Sequence, residues 1–66
     1  MLTAREGDVL QLLAHGCSYE QIAVRLGISV HTVTSHVKNC YRKLDVHRAA
    51  AAVMRAVELR LIAPQQ

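Results

Sequence analysis

The chain has 66 residues, a formal net charge of +3 at pH 7 and 52% apolar residues, with no tryptophan or phenylalanine. This composition excludes a disordered chain, and the length allows one small aliphatic core that buries only about 60% of the surface of the unfolded chain. No apolar run approaches the roughly 20 residues of a membrane-spanning helix, and the first residues lack a secretory signal pattern. We therefore expect one cytoplasmic domain over residues 1–66.

The first predicted helix covers about residues 4–15. Thr3 is placed to accept a hydrogen bond from a free amide of the first turn, and Glu6 follows at the spacing of a capping box. A stripe of valine and leucine then has the spacing of one buried helix face. Gly16 favours the left-handed conformation that ends many helices.

The second and third predicted helices, about residues 18–26 and 29–44, are joined by a tight turn at Gly27. A serine precedes each of them: Ser18 begins a second capping box, and Ser29 caps the third helix. Two helices joined in this way are typical of a helix-turn-helix unit, although other helical hairpins share the pattern.

The fourth predicted helix covers about residues 48–60, and Pro64 marks its frayed end. It is apolar on more than the one face that closes a core, and an exposed apolar row usually marks an interface. We expect a symmetric homodimer through this helix. The predicted interface comprises Ala50, Val53, Met54 and Val57. The alternative explanation is simply a high alanine content that favours helix formation.

The third helix has two distinct faces. Its buried stripe is predicted to contain Val33, Val37, Cys40 and Leu44. The opposite face carries His31, Thr34, Ser35 and Lys38, and Arg42 continues this row. Small polar groups near the helix start suit DNA base edges in the major groove, and cations farther along suit phosphates. No aspartate or glutamate lies between Ile28 and Leu44, whereas an idle solvated helix usually carries Glu–Lys pairs.

Three motifs, in order, resemble the DNA-binding domain of LuxR-type transcriptional regulators, the C-terminal domain of LuxR/FixJ-type proteins. They are L-T-x-R-E-x-x-V-L at the start, G-x-S-x-x-x-I-A-x-x-L-x-I-S in the centre and T-V-x-x-H followed by K-L-x-V. The match covers nearly the whole chain. The resemblance implies an all-α, four-helix helix-turn-helix domain that binds double-stranded DNA, reads the major groove with its third helix and dimerises through its fourth.

The resemblance also implies roles for single residues. Base-edge contacts fall on His31, Thr34, Ser35 and Lys38, the set that the helical spacing predicts independently. Backbone contacts fall on Ser18, Ser29, Thr32 and Lys43, and we add Arg42 from the polar row. Two positions depart from the family pattern: Thr34 stands where lysine is frequent, and Ala49 where arginine is common. The first departure removes a cation and is expected to weaken or redirect base contact.

Other functions are less well supported by the sequence. His36 and Cys40 lie one helical turn apart, but a zinc site needs four ligands, usually in paired clusters, so we expect no metal and no cofactor. No nucleophile, base and orienting acid occur together, so we expect neither an enzyme nor a small-molecule site. The fourth helix lacks the bulky apolar residues of a membrane-surface helix. The main alternative is a protein-interaction module that keeps the fold without binding DNA.

Overall fold

The computed structural model describes residues 1–64, and within them it contains four α-helices and no strand. The helices are α1 (Ala4–Ala14), α2 (Tyr19–Leu26), α3 (Val30–Leu44) and α4 (Ala49–Glu58). The predicted all-α, four-helix architecture is therefore confirmed. Each helix is one to three residues shorter than expected, because the capping residues lie just outside the helical turns. Residues 65–66 of the predicted domain lie outside the described residues.

Reciprocal hydrogen bonds begin the first two helices. Thr3 Oγ1 accepts a hydrogen bond from the Glu6 amide at 3.1 Å, and Glu6 Oε1 accepts one from the Thr3 amide at 2.9 Å. Ser18 and Gln21 repeat the arrangement at 3.1 and 2.8 Å. These bonds satisfy amides that have no partner inside the helix. Both predicted capping boxes are confirmed.

The turn between α2 and α3 depends on Gly27. Its backbone is left-handed, with φ 67° and ψ 36°, a conformation that costs glycine little and other residues more. The amide of Ile28 then donates to the carbonyl of Ala23 at 3.0 Å. Ser29 caps α3, because its Oγ accepts a hydrogen bond from the Thr32 amide at 3.1 Å. The two helices are thus held at a sharp, fixed turn.

Two clusters of buried side chains form the core. The first joins α1, α2 and α3 through Val9, Ile22, Ala23, Val33 and Val37. The second joins α1, α3, α4 and the segment after α4 through Leu10, Leu44, Ala52, Ala56 and Ile62. Full burial of one such Val, Leu or Ile side chain contributes about 1.5–3 kcal/mol. The stripe predicted for α3 is buried along its whole length. Because α3 contacts α1, α2 and α4, all three helices fix its orientation.

The segment that follows α4 folds back onto α1. Arg60 adopts a left-handed conformation with φ 60°, and Ile62 is only 9% exposed. The side-chain amide of Gln11 accepts a hydrogen bond from the Ala63 amide at 3.0 Å and donates one to the Ala63 carbonyl at 3.4 Å. The burial of Ile62 and the bonds to Gln11 therefore hold the chain in place as far as Ala63, and the fraying expected at Pro64 stays a prediction.

Candidate nucleic-acid interface

The polar row of α3 lies on the surface. The buried stripe turns the opposite face of the helix outward, and most of that row is exposed there. Its exposed members are His31, Ser35, Lys38 and Arg42. The packing thus brings these four candidates together on one side of the molecule, as the helical spacing predicts, whereas Lys43 lies off this row and faces α1.

Three hydroxyl groups at the start of α3 are already engaged within the chain. Thr34 is half-buried, and its Oγ1 donates a hydrogen bond to the Val30 carbonyl at 3.1 Å. Thr32 Oγ1 lies 2.9 Å from Ser29 Oγ. Because the proton of Thr34 is used inside the helix, the groups it offers outward are its oxygen lone pairs and its methyl group. A methyl group suits contact with the methyl of thymine.

Ser18 and Ser29 lie at the starts of α2 and α3, and both are exposed. Each hydroxyl oxygen accepts a hydrogen bond from a backbone amide of its own helix. Ser18 still has its hydroxyl proton to donate, and the bonded Ser29–Thr32 hydroxyl pair has one proton left to donate between them. The capping role of each serine is therefore compatible with a contact to a phosphate oxygen.

Lys43 differs from the other candidates because its ammonium group has a partner in the protein. Its Nζ donates to Glu6 Oε1 at 2.7 Å, and the side chains of Lys43 and Glu6 are 31% and 5% exposed. Burial acts to raise the pKa of Glu6, but hydrogen bonds from Lys43 and Thr3 and the Lys43 charge outweigh it and lower this pKa below its ordinary value. The sequence offered no local signal for the pair, whose members are 37 residues apart.

Cys40 packs beside this ion pair. Its thiol donates a weak hydrogen bond to the Glu6 carbonyl at 3.6 Å, and burial, aided by the Glu6 charge, raises its pKa to about 11. The thiol therefore stays protonated at neutral pH. Within residues 1–64, no three His, Cys, Asp or Glu side chains lie close enough to hold a metal ion. No helix in the same range is both long and apolar enough to cross a membrane.

A hollow of about 420 Å³ lies at the C-terminal end of α3. It is lined by Lys38, Tyr41, Arg42, Asp45, Val46 and His47. No sequence pattern indicated a role for His47, because this residue follows α3 and so falls outside any comparison of helix faces. The structure places it beside two cations of the polar row.

The surface of α4 combines exposed and half-buried apolar residues. Ala50 is exposed and Met54 is 67% exposed, whereas Val53 and Val57 also pack against the second core cluster. Val53, Met54 and Val57, with Glu58 and Pro64, border a shallow hollow of about 310 Å³. The predicted interface residues thus lie on one side of α4, and two of them serve the core as well.

A short α2, a left-handed glycine turn and an exposed polar α3 together define a helix-turn-helix domain. A sequence profile of the bacterial regulatory proteins of the luxR family (GerE) matches residues 1–56. The chain therefore belongs to the luxR family of bacterial regulatory proteins.

Characterised relatives of this chain are transcriptional regulators by name. The transcriptional activator protein CarR of Pectobacterium carotovorum subsp. carotovorum is 43% identical over 61 residues, which cover 92% of this chain and 25% of CarR. The nitrate/nitrite response regulator protein NarP of Escherichia coli (strain K12) is 47% identical over 60 residues, covering 91% of this chain and 28% of NarP. The chain thus spans about a quarter of the length of these relatives.

Two solved structures share the fold. The transcription factor GerE superposes with a TM-score of 0.90 and 34% identity, covering 94% of this chain and 92% of the GerE chain. The response regulator ChrA of a heme-sensing two-component system also has a TM-score of 0.90, with 44% identity over 94% of this chain and 31% of ChrA.

Proposed function

We propose that this chain binds double-stranded DNA sequence-specifically in the cytoplasm, as part of a transcriptional regulator, with α3 in the major groove. The observation that carries the proposal is the surface of α3, a polar row free of carboxylates that is held outward by a fully buried stripe. Carboxylates would repel the phosphates on either side of the groove, so their absence suits a helix that enters it. The regulatory names of the relatives support the same function.

The contacts divide into two groups. Base edges are assigned to His31, Thr34, Ser35 and Lys38, which follow the outward face of α3. Backbone phosphates are assigned to Ser18, Ser29, Thr32, Arg42 and Lys43, which are hydroxyl groups near helix starts or cations near the end of α3. Lys43 is the weakest member of this group, because its contact with a phosphate would compete with the ion pair to Glu6.

The same proposal includes a homodimer formed through α4. Met54 is largely exposed in the single chain, and the neighbouring valines extend the apolar surface around it. Arg55 and Glu58 are exposed on the same helix, so a two-fold contact can place the cation of one copy near the anion of the other. Two copies of α3 would then address half-sites about one turn of DNA apart.

Selection from a random duplex pool, followed by fluorescence anisotropy with the selected duplex and a scrambled one, tests this function. We expect clear preference for the selected sequence and an affinity that falls steeply as salt rises. Chemical-shift mapping should then move the amides between His31 and Arg42. Binding that shows no sequence preference, or shifts confined to a surface away from α3, would contradict the proposal.

A further inference from the structure

We propose that the hollow at the C-terminal end of α3 is a binding site for a phosphodiester group of the DNA backbone, with His47 as a contact residue outside the recognition helix. This inference rests on the proposed function and extends the surface beyond the polar row. Its basis is the convergence of Lys38, Arg42 and His47 on one hollow of about 420 Å³.

The side chains that line the hollow come from two different elements: Arg42 and His47 are its phosphate donors, and Lys38, the base-edge candidate, adds positive charge at its border. Lys38 and Arg42 stand on successive turns of α3 and are both exposed. His47 comes from the turn between α3 and α4, is exposed and lines the same hollow. A phosphate group accepts hydrogen bonds from several directions, so donors from two elements suit it better than a single row does.

The turn that carries His47 is held firmly. Asp45 is left-handed with φ 56°, and the Val46 amide donates to the Tyr41 carbonyl at 3.0 Å. Val46 itself packs against the second core cluster. The residue before His47 is therefore fixed in place, so little backbone freedom is lost when the imidazole binds a ligand.

The residues that line the hollow have a net positive charge. Tyr41 is half-buried, and burial together with the adjacent Tyr19 hydroxyl raises its pKa above the ordinary value, so it stays neutral. The carboxylate of Asp45 is the one anion among the lining residues. Two permanent cations against one anion leave a net positive charge, which matches the single negative charge of a phosphodiester.

The hollow continues the polar row of α3, and this favours a DNA phosphate as its ligand over a carboxylate of a partner protein. Lys38 is the last base-edge candidate of α3, and Arg42 follows one turn later on the same face. A duplex whose bases meet the start of α3 would bring its backbone past the end of the helix. The hollow lies at that end.

Two variants with opposite expected effects on DNA affinity test the site. His47→Ala removes the imidazole donor from an exposed position and should lower the affinity for selected and scrambled duplexes alike, by about threefold to tenfold. Asp45→Asn removes the opposing charge and keeps a residue that tolerates a left-handed backbone, so it should raise both affinities by about twofold to fivefold. His15→Ala, at the exposed C-terminal end of α1, is the matched control and should change neither affinity.

Anisotropy titrations with both duplexes, together with thermal melting of each variant, give the readouts. If His47 only stabilised the fold, its substitution would lower the melting temperature, and Asp45→Asn would not raise the affinity for either duplex. That result would contradict the phosphate site. Unchanged affinity in both variants, while Lys38→Ala still loses specific binding, would overturn the inference and leave the proposed function standing. If wild type binds neither duplex, the proposed function fails, and the phosphate site fails with it.

Discussion

Glu6 and Lys43 form an ion pair in which Nζ lies 2.7 Å from Oε1, although the two residues are 37 positions apart. Glu6 belongs to the first turn of α1 and Lys43 to the last turn of α3. The pair therefore ties one end of the candidate recognition helix to the helix that packs behind it. Glu6 also closes the capping box with Thr3, so one buried carboxylate serves two purposes.

Replacing Lys43 by methionine should lower the free energy of unfolding by about 2–3 kcal/mol, because it leaves the buried Glu6 carboxylate without its partner. Glu6→Gln should cost less, about 1–2 kcal/mol, since Lys43 is exposed enough to be hydrated when its partner is lost. Urea unfolding followed by circular dichroism measures both. Lys38→Met is the matched control on the exposed face of α3 and should stay within about 0.5 kcal/mol of wild type. Equal effects of the two lysine variants would contradict a structural role for the pair.

The same pair predicts how stability depends on pH. The pKa of Glu6 in the folded chain lies below its ordinary value of 4.5, so its contribution to stability is present above pH 4.5 and is lost as the pH falls through the folded value. Urea unfolding of wild type and Glu6→Gln across this range measures the contribution. The difference between them should be largest near neutral pH and shrink in acid. A difference that stays constant with pH would show that the charge of Glu6 contributes nothing.

Lys38 and Arg42 should differ in how they affect DNA binding. Lys38→Ala should cost about 1–3 kcal/mol on the selected duplex and much less on a scrambled one, because it removes a base-edge contact. Arg42→Ala should weaken binding to both duplexes and reduce the slope of log affinity against log salt by about 1, because it removes a phosphate contact. Anisotropy titrations at several salt concentrations separate the two effects. If Lys38→Ala lost the same affinity for both duplexes, Lys38 would not contact a base edge, and the proposed orientation of α3 in the groove would be wrong.

Met54→Glu should separate dimerisation from folding. Met54 is 67% exposed, so the substitution should leave the stability of the single chain nearly unchanged while it weakens a dimer through α4 at least about tenfold. Sedimentation equilibrium over a range of protein concentrations measures the association. Val24→Glu is the matched control, since Val24 is 83% exposed on α2, away from the proposed interface. A wild-type chain that stays monomeric at high concentration and on DNA would rule out the α4 dimer.

The two cysteines should react at very different rates. Cys40 is 1% exposed and its pKa is raised to about 11, so a thiol reagent should reach it at neutral pH only when the chain unfolds. Cys17 is half-buried and should be labelled first. Mass spectrometry of the native chain over time, with Cys17→Ser as the comparison, measures the order. Rapid labelling of native Cys17→Ser would show that the core around Cys40 opens readily.

The sequence by itself was sufficient to predict the four helices and the exposed face of α3. Capping boxes depend on residues three positions apart, and helix faces on residues three or four apart, so these features can be predicted before any packing is known. The stripe that begins at Val33 and the glycine turn at Gly27 follow from the same local rules. The family motifs added the expectation of a DNA-binding domain and the predicted, still untested roles of its residues.

Only the tertiary structure decided which distant residues meet. The partner of Glu6 on α3 and the anchoring of Ala63 by Gln11 both depend on how the helices pack. A lysine four residues along a helix has a predictable neighbour, whereas a lysine 37 residues away has one only after the core has set the angles and distances between helices. The burial that lowers or raises a pKa is likewise a property of the packed core, and no stretch of sequence carries it alone.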